Sequence, residues 1–418
     1  MNTIHKQIRQ MGEQALAASR ELINFSSNKK NIILRSMADA LEQQRDLIKT
    51  ENTKDLKAAR EQGLTKAMID RLTLDDVRIN SMITGVREVA ALPDPVGQRI
   101  WRRVRPNGLV IEKKRVPLGV ICIIFESRPN VTADAAVLCF KTSNAVILRG
   151  GKEAFHSNKA IAHALQCGGI AAGMPVNAIQ LVDTIDRAAV RELVRLNDCI
   201  DVVIPRGGES LIKAVVENAT VPVLKHYKGV CHLYIDKKAD LKQALAITEN
   251  GKCQRPGVCN AIETLLIHQT QADEFLPMLA SLASQQGIEL RGCAVTCATL
   301  PDCRPATEED WPAEYLDLIL AVRVVKNLPA AIEHINTYGS HHSDAIVTSD
   351  KSSARQFLKE VDSSSVYVNA STRFTDGAMF GMGAEMGIST DKLHARGPMG
   401  LEELTTYKYT ITGTGQIR

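Results

Sequence analysis

A cysteine that attacks carbon needs an exposed turn, backbone N–H groups aimed at it and surroundings that favour the thiolate. The segment Cys253-Gln-Arg-Pro-Gly-Val-Cys259-Asn-Ala-Ile-Glu-Thr can offer the first two at Cys259, which stands between a Pro-Gly turn and an apolar run. Arg255 lies four residues upstream. The alternative is a buried structural cysteine, and the polar, turn-rich flanks weigh against it. Cys253 competes on the same local grounds. Cys293, Cys297 and Cys303 read C-x3-C-x5-C, with no clear fourth ligand and no common zinc spacing, so no metal site is expected.

Two other stretches suit a nucleotide. Ala145-Val-Ile-Leu-Arg149-Gly150-Gly151-Lys152 reads as a strand, a glycine turn and a helix start, although it is not GxGxxG. Pro205-Arg206-Gly207-Gly208-Glu209-Ser210 follows an apolar run and opens a helix. The N–H groups of such a terminus suit a diphosphate, and the glycines let the backbone approach it. An ordinary βα turn is the alternative.

These residues need elements to hold them. Residues 3–92 read as helices, with Ile33, Met37, Leu41 and Ile48 on one face and breaks at Gly63 and at Ser26-Ser27-Asn28. The basic segment 101–117, with Pro106-Asn107-Gly108 at its centre, predicts a β-hairpin, read as an arm that packs on another subunit, with a solvated ribbon as the alternative. From 119 onward, short apolar runs (119–125, 145–148, 178–182, 199–204) alternate with amphipathic stretches, which predicts βαβ units and a parallel sheet. The pattern repeats after 247, with runs at 262–267, 318–325, 344–348 and 365–368, and residues 405–411 predict a last strand.

Composition narrows the function. The chain has 418 residues, 44% hydrophobic and 23% charged, which excludes a disordered or fibrous protein. Lys and Arg total 51 against 47 Asp and Glu, a net charge of +4, too balanced for nucleic acid as the main partner. No apolar run approaches the ~20 residues of a membrane span, and the first residues lack the apolar core of a signal peptide. A cytoplasmic location is expected. Cys122, Cys139 and Cys231 lie inside apolar runs, where cysteine acts as a small hydrophobe.

QRPGVCNAIET, INTYGSHHSDAIVT (335–348) and VYVNASTRFTDGAMFGMGAEMGIST (366–390) together resemble the gamma-glutamyl phosphate reductases, a branch of the aldehyde dehydrogenase superfamily. The resemblance runs essentially end to end. It implies an α/β, aldehyde dehydrogenase-like fold: a Rossmann-like cofactor domain, an α/β catalytic domain and a small β oligomerisation element. The expected spans are 1–100 with 119–247, then 248–384, then 101–118 with 385–418. It implies Cys259 as the nucleophile, a thioester intermediate, NADPH as reductant and L-glutamyl 5-phosphate as substrate, in the second step of proline biosynthesis. An oxidising, hydrolytic aldehyde dehydrogenase is the alternative.

Departures from the hydrolytic relatives refine this. Their E-L-G-G-K segment carries the glutamate that activates water, whereas Leu224-Lys-His-Tyr-Lys-Gly229 has no carboxylate. Lys225, His226 and Lys228 are candidates for an anionic substrate, as are Arg128 and Arg255. His226 is also a candidate base for Cys259. Their oxyanion asparagine is replaced by Ser127, with Asn130 three residues on, so the backbone N–H of Cys259 plus Ser127 or Asn130 is expected to hold the oxyanion. Their K-P-S-E segment places a ribose-binding glutamate where Lys152 stands and a lysine where Arg149 stands, and cations there favour a 2′-phosphate. Glu314 falls where relatives hold the nicotinamide ribose. A homo-oligomer, dimer or tetramer, is expected, and contact with the glutamate 5-kinase is a candidate interaction. His341-His342 has a positional or substrate role open to it.

Overall fold

The computed structural model describes residues 3–225 and 227–418, so the expectation for His226 lies outside it. The chain forms two compact units, one of residues 1–225, 381–387 and 399–418, the other of 226–380 and 388–398.

The first unit begins with helices α1 (Thr3–Leu22), α2 (Ser27–Gln43), α3 (Arg45–Glu61), α4 (Lys66–Leu72) and α5 (Asp76–Ala91). Ser26 caps α2 by accepting the Lys29 N–H, and Asp75 caps α5. Ile33, Met37 and Leu41 bury one face of α2. Ile48 is equally buried but belongs to α3, because the chain breaks at Gln44 while its apolar period runs on. Strands β1 (Arg99–Val104) and β2 (Val110–Pro117) form the expected antiparallel hairpin, turned by Gly108 at φ +84°.

The βαβ region then gives β3 (Val120–Phe125), α6 (Val131–Lys141), β4 (Ala145–Gly150), α7 (Phe155–Ala171), β5 (Ile179–Leu181), α8 (Arg187–Leu193), β6 (Val202–Arg206) and α9 (Glu209–Asn218). Its sheet is parallel in the order β5-β4-β3-β6. Every residue of β3 is buried, as a strand covered on both faces must be. The strand order reverses between β3 and β6, and ligands of such sheets bind outside the carboxyl ends at that point.

The second unit contains β7 (Cys231–Ile235), α10 (Leu241–Cys253), β8 (Ile262–His268), α11 (Ala272–Gln286), β9 (Glu289–Gly292), α12 (Ala294–Thr299), β10 (Arg304–Pro305), β11 (Ile319–Val325), α13 (Leu328–Tyr338), β12 (Ser343–Val347), α14 (Lys351–Glu360) and β13 (Ser365–Val368). Its strands are parallel in the order β10-β9-β11-β8-β7-β12-β13. Alternation along β7 and β8 sends Leu233, Ile235, Leu265 and Ile267 into one core and Tyr234 and Leu266 into the other. Strand β7 pairs with both β8 and β12. It therefore belongs to the second sheet, although the sequence expectation groups residues up to 247 with the first.

The tail divides similarly. Strands β14 (Ile388–Ser389) and β15 (Gly397–Pro398) pair within the second unit. Strand β16 (Thr405–Thr412) pairs antiparallel with β2 from Thr405↔Pro117 to Thr412↔Val110, joining the hairpin to the C-terminus in one three-stranded sheet. Among the described residues no helix is long and apolar enough to cross a membrane.

Candidate active site

The loop that carries Cys259, the candidate nucleophile, joins α10 to β8. Cys259 is half-buried in it, and its carbonyl accepts the thiol of Cys231 at 3.2 Å. A Cβ on Gly229 would stand 1.9 Å from that carbonyl oxygen, so only glycine allows this approach. Gly229 donates its N–H to Glu314 Oε1 at 2.8 Å, and Lys228 Nζ donates to the Pro312 carbonyl at 2.7 Å. A carboxylate thus reaches the segment that lacks one of its own, and it arrives as a backbone acceptor.

Asn260, next to Cys259, is fully engaged. Its amide donates to the Thr375 carbonyl at 2.9 Å, its backbone carbonyl accepts the Thr372 hydroxyl at 2.7 Å, and its side-chain oxygen accepts the Arg373 guanidinium. Arg373 Nε donates to Gln254 Oε1 at 3.1 Å, so one guanidinium ties both ends of the loop. Among the described residues nothing accepts the N–H of Cys259, which leaves it for an oxyanion. Behind the loop, Cys231 Sγ lies 3.6 Å from His342 Nδ1, and Ser343, Thr375 and Tyr367 continue a hydroxyl chain at 2.6–2.9 Å.

Burial, with the Glu249 charge, pushes the Cys253 thiol up, which disfavours its thiolate. Beneath the loop, Lys252 and Glu263 form a fully buried ion pair at 2.5 Å. Burial raises the Glu263 carboxyl to about 7, opposed by the Lys252 charge. No group of three or more potential ligands for a metal occurs among the described residues.

The first unit holds a separate cavity of about 560 Å³. Val190 and Val194 from the α8 region face Leu211, Ala214 and Val215 of α9 across it. Its polar lining includes Glu126, Arg149, Lys152, Glu153, Arg187 and Arg191. Arg149 is 8% exposed; two of its nitrogens donate to the Gly150 and Ile185 carbonyls, and its Nε is buried without a partner. An apolar slot beside an incompletely satisfied guanidinium fits an adenosine carrying phosphate.

The glycine turns have definite neighbours. At Gly150 the Asn158 amide fills the space of a side chain, and at Gly151 the Glu153 carboxylate does so. At Gly207 that space is taken by the Glu126 carboxylate, which also accepts the Gly208 N–H at 3.1 Å. Arg206 turns its guanidinium against Gly387, and Glu209 pairs with Lys213 at 2.9 Å. The N-terminus of α7 is taken by Asp55, which accepts the His156 and Ser157 N–H groups. Both helix N-termini therefore hold a carboxylate, Asp55 at α7 and Glu126 at α9.

Ser127 sits at φ 51°. Both its N–H and its hydroxyl donate to Glu153, the hydroxyl at 3.0 Å. Asn130 donates one amide hydrogen to Asp134 at 2.9 Å, and burial raises that carboxyl to about 6. Arg128 is exposed on the turn into α6, and Lys225 is half-buried at the end of the first unit. The sequence reasoning missed Glu153, Arg373 and the α8–α9 slot. Arg373 lay within a quoted motif, and the apolar spacing of α9 was visible, but neither carries a local signature.

Residues 2–290 match the aldehyde dehydrogenase family. The chain is 57% identical to gamma-glutamyl phosphate reductase of Moorella thermoacetica over 99% of each chain. It is 54% identical to that of Desulfatibacillum aliphaticivorans over 100% of each. The crystal structure of gamma-glutamyl phosphate reductase from Thermotoga maritima superposes with a TM-score of 0.97 at 46% identity, covering 98% of this chain and 99% of that one. Members of the aldehyde dehydrogenase family use NAD or NADP and are commonly oligomers. The chain belongs to this family, in its gamma-glutamyl phosphate reductase branch.

Proposed function

We propose that this oxidoreductase uses NADPH to reduce L-glutamyl 5-phosphate to L-glutamate 5-semialdehyde and phosphate, the second step of proline biosynthesis. The observation that carries the reading is the Cys259 loop: a half-buried thiol, a backbone N–H with no acceptor among the described residues, and Arg255 and Arg373 alongside. The full-length likeness to named reductases supports the substrate.

The chemistry divides into two easier steps. The Cys259 thiolate forms a C–S bond to the acyl carbon while the C–O bond to phosphate breaks, and the departing phosphate takes up one proton. Its N–H stabilises the negative charge on the carbonyl oxygen. Ser127 and Asn130 stay candidates for a second donor; the Ser127 hydroxyl donates to Glu153, and Asn130 donates one amide hydrogen to Asp134. The cofactor, when bound, supplies the hydride that takes the thioester to the aldehyde level. The C–S bond then breaks, with its electron pair returning to sulfur. In the cavity, Val190, Val194, Leu211 and Ala214 would hold the adenine and Arg149 and Lys152 the 2′-phosphate, with the Gly207-Gly208 turn before α9 taking the diphosphate. Glu314, Arg206 and Glu209 stay candidates for cofactor contacts, and Arg128, Lys225, Lys228 and Arg255 for substrate. The absence of a carboxylate from 224–229 supports a thioester protected from water.

The three-stranded sheet is the proposed oligomer interface. A cytoplasmic location and contact with the glutamate 5-kinase complete the proposal.

The test runs the reaction backwards, on the stable semialdehyde. NADPH should form from semialdehyde and NADP only when phosphate is present. Equal rates without phosphate would mean that water resolves the thioester, and the hydrolytic alternative would replace this reading.

A further inference from the structure

We infer that Arg373 binds substrate: with Arg255 it forms the seat of the phosphoryl group that leaves when Cys259 attacks. The inference deepens the proposed function and rests on it. Three observations carry it. First, the Arg373 guanidinium is fixed by Gln254 and Asn260, at the two ends of the loop that bears Arg255 and Cys259. Second, it spends two of its five N–H groups on those anchors, which leaves a rigid fork for a ligand. Third, among the described residues neither Arg373 nor Arg255 forms an ion pair, although other carboxylates of this unit have partners, such as Glu263 with Lys252 and Asp362 with Arg396.

The two guanidiniums also feel one another. Burial and the Arg255 charge loosen the hold of Arg373 on its proton, while the charges of Cys259 and Asp376 oppose this. Two cations held together beside a nucleophile repel each other until an anion joins them. A phosphoryl group matches that need, since guanidinium and phosphate pair through parallel hydrogen bonds. The α-carboxylate of the same substrate is a second anion of similar chemistry. It lies at the far end of the carbon chain from the carbon that sulfur attacks, whereas the phosphoryl group is bonded to that carbon through one oxygen. The seat beside Cys259 is therefore assigned to phosphate.

The test uses the whole protein with inorganic phosphate as probe. Cys259 is alkylated with neutral iodoacetamide or anionic iodoacetate, and the modified peptide is quantified. Phosphate should protect the wild type, and Arg373→Gln should raise the half-protecting concentration about tenfold or more. The iodoacetate-to-iodoacetamide rate ratio should fall about fivefold in Arg373→Gln and less in Arg373→Lys, which keeps the charge. Equal slowing of both reagents with phosphate protection intact would show a loop staple only, and overturn the proposal. In semialdehyde oxidation, the KM for phosphate should rise while that for semialdehyde holds. A rise in the semialdehyde KM alone would assign the fork to the α-carboxylate and overturn it equally. If the wild type oxidised semialdehyde without phosphate, the proposed function would fall, and the alkylation result would still stand by itself.

Discussion

The two parallel sheets carry their candidate residues at opposite ends of their strands. In the first, the candidate residues lie on loops that leave strands: Glu126 and Ser127 after β3, Lys152 after β4, Gly207 and Gly208 after β6. In the second they lie on loops that enter strands: Gly229 before β7, Cys259 before β8, Glu314 before β11, His342 before β12. A loop leaving a strand leads to a helix N-terminus, whose N–H groups are partly positive; a loop entering one follows a helix C-terminus, whose carbonyls are partly negative. The side chains compensate accordingly. Asp55 and Glu126 sit on the N-termini of α7 and α9, while Lys252, Arg255 and Arg373 gather where α10 ends. The first edge can draw a diphosphate to backbone groups it already has. At the second, Lys252, Arg255 and Arg373 offset the carbonyl end of α10.

This contrast makes the second edge the place where single changes cost most. Cys259→Ser should lower turnover ~10⁴-fold or more, as loss of a nucleophile does. Cys253→Ser, removing a thiol whose ionisation is disfavoured, should stay within about twofold. Steady-state rates of both variants decide it, and full activity in Cys259→Ser would move the chemistry off this edge altogether.

Gly229→Ala tests how tightly that edge is built. The new Cβ would stand 1.9 Å from the Cys259 carbonyl, so the loop must shift. A displacement of about 1 Å costs ~10²-fold in rate. Thermal unfolding should show the variant folded, and the loss should appear in kcat. An unchanged kcat would mean that the loop position is not rate-determining.

The sequence made some of this legible and hid the rest for a physical reason. Hairpin, βαβ alternation and last strand each follow from local period and turn residues, and all are present. The Cys259 motif announces itself because its turn residues are contiguous. Strand β7 was misplaced because Cys231–Ile235 says only that it is buried, not which sheet buries it. Arg373 was passed over because its anchors, Gln254 and Asn260, lie more than a hundred residues away. Ser127 looked available because its partner Glu153 is brought back by the β4 turn. Pairings across such distances come from topology, and a single sequence read by period does not supply them.

At the first edge the effects should be smaller, because several groups share the ligand. Lys152 lines the cavity with Arg149, Arg187 and Arg191. Lys152→Glu should cut the preference for NADPH over NADH about tenfold, since a carboxylate repels a 2′-phosphate. The ratio of kcat/KM for the two cofactors measures it. An unmoved ratio would assign discrimination to the three arginines.

The smallest expected effect sharpens the comparison most. Glu126 accepts the N–H of Gly208 at the very terminus proposed for the diphosphate. If its carboxylate merely fills that place until the cofactor arrives, it competes with an anion of its own sign. Glu126→Gln keeps the shape and removes the charge, so NADPH should bind about two- to fivefold more tightly, the worth of one charge at a helix terminus. Titration of the purified variant by calorimetry reads this directly. Weaker binding would mean that the carboxylate stays and accepts a hydrogen bond from the cofactor. The first edge would then, like the second, depend on side-chain charge rather than on backbone N–H groups alone.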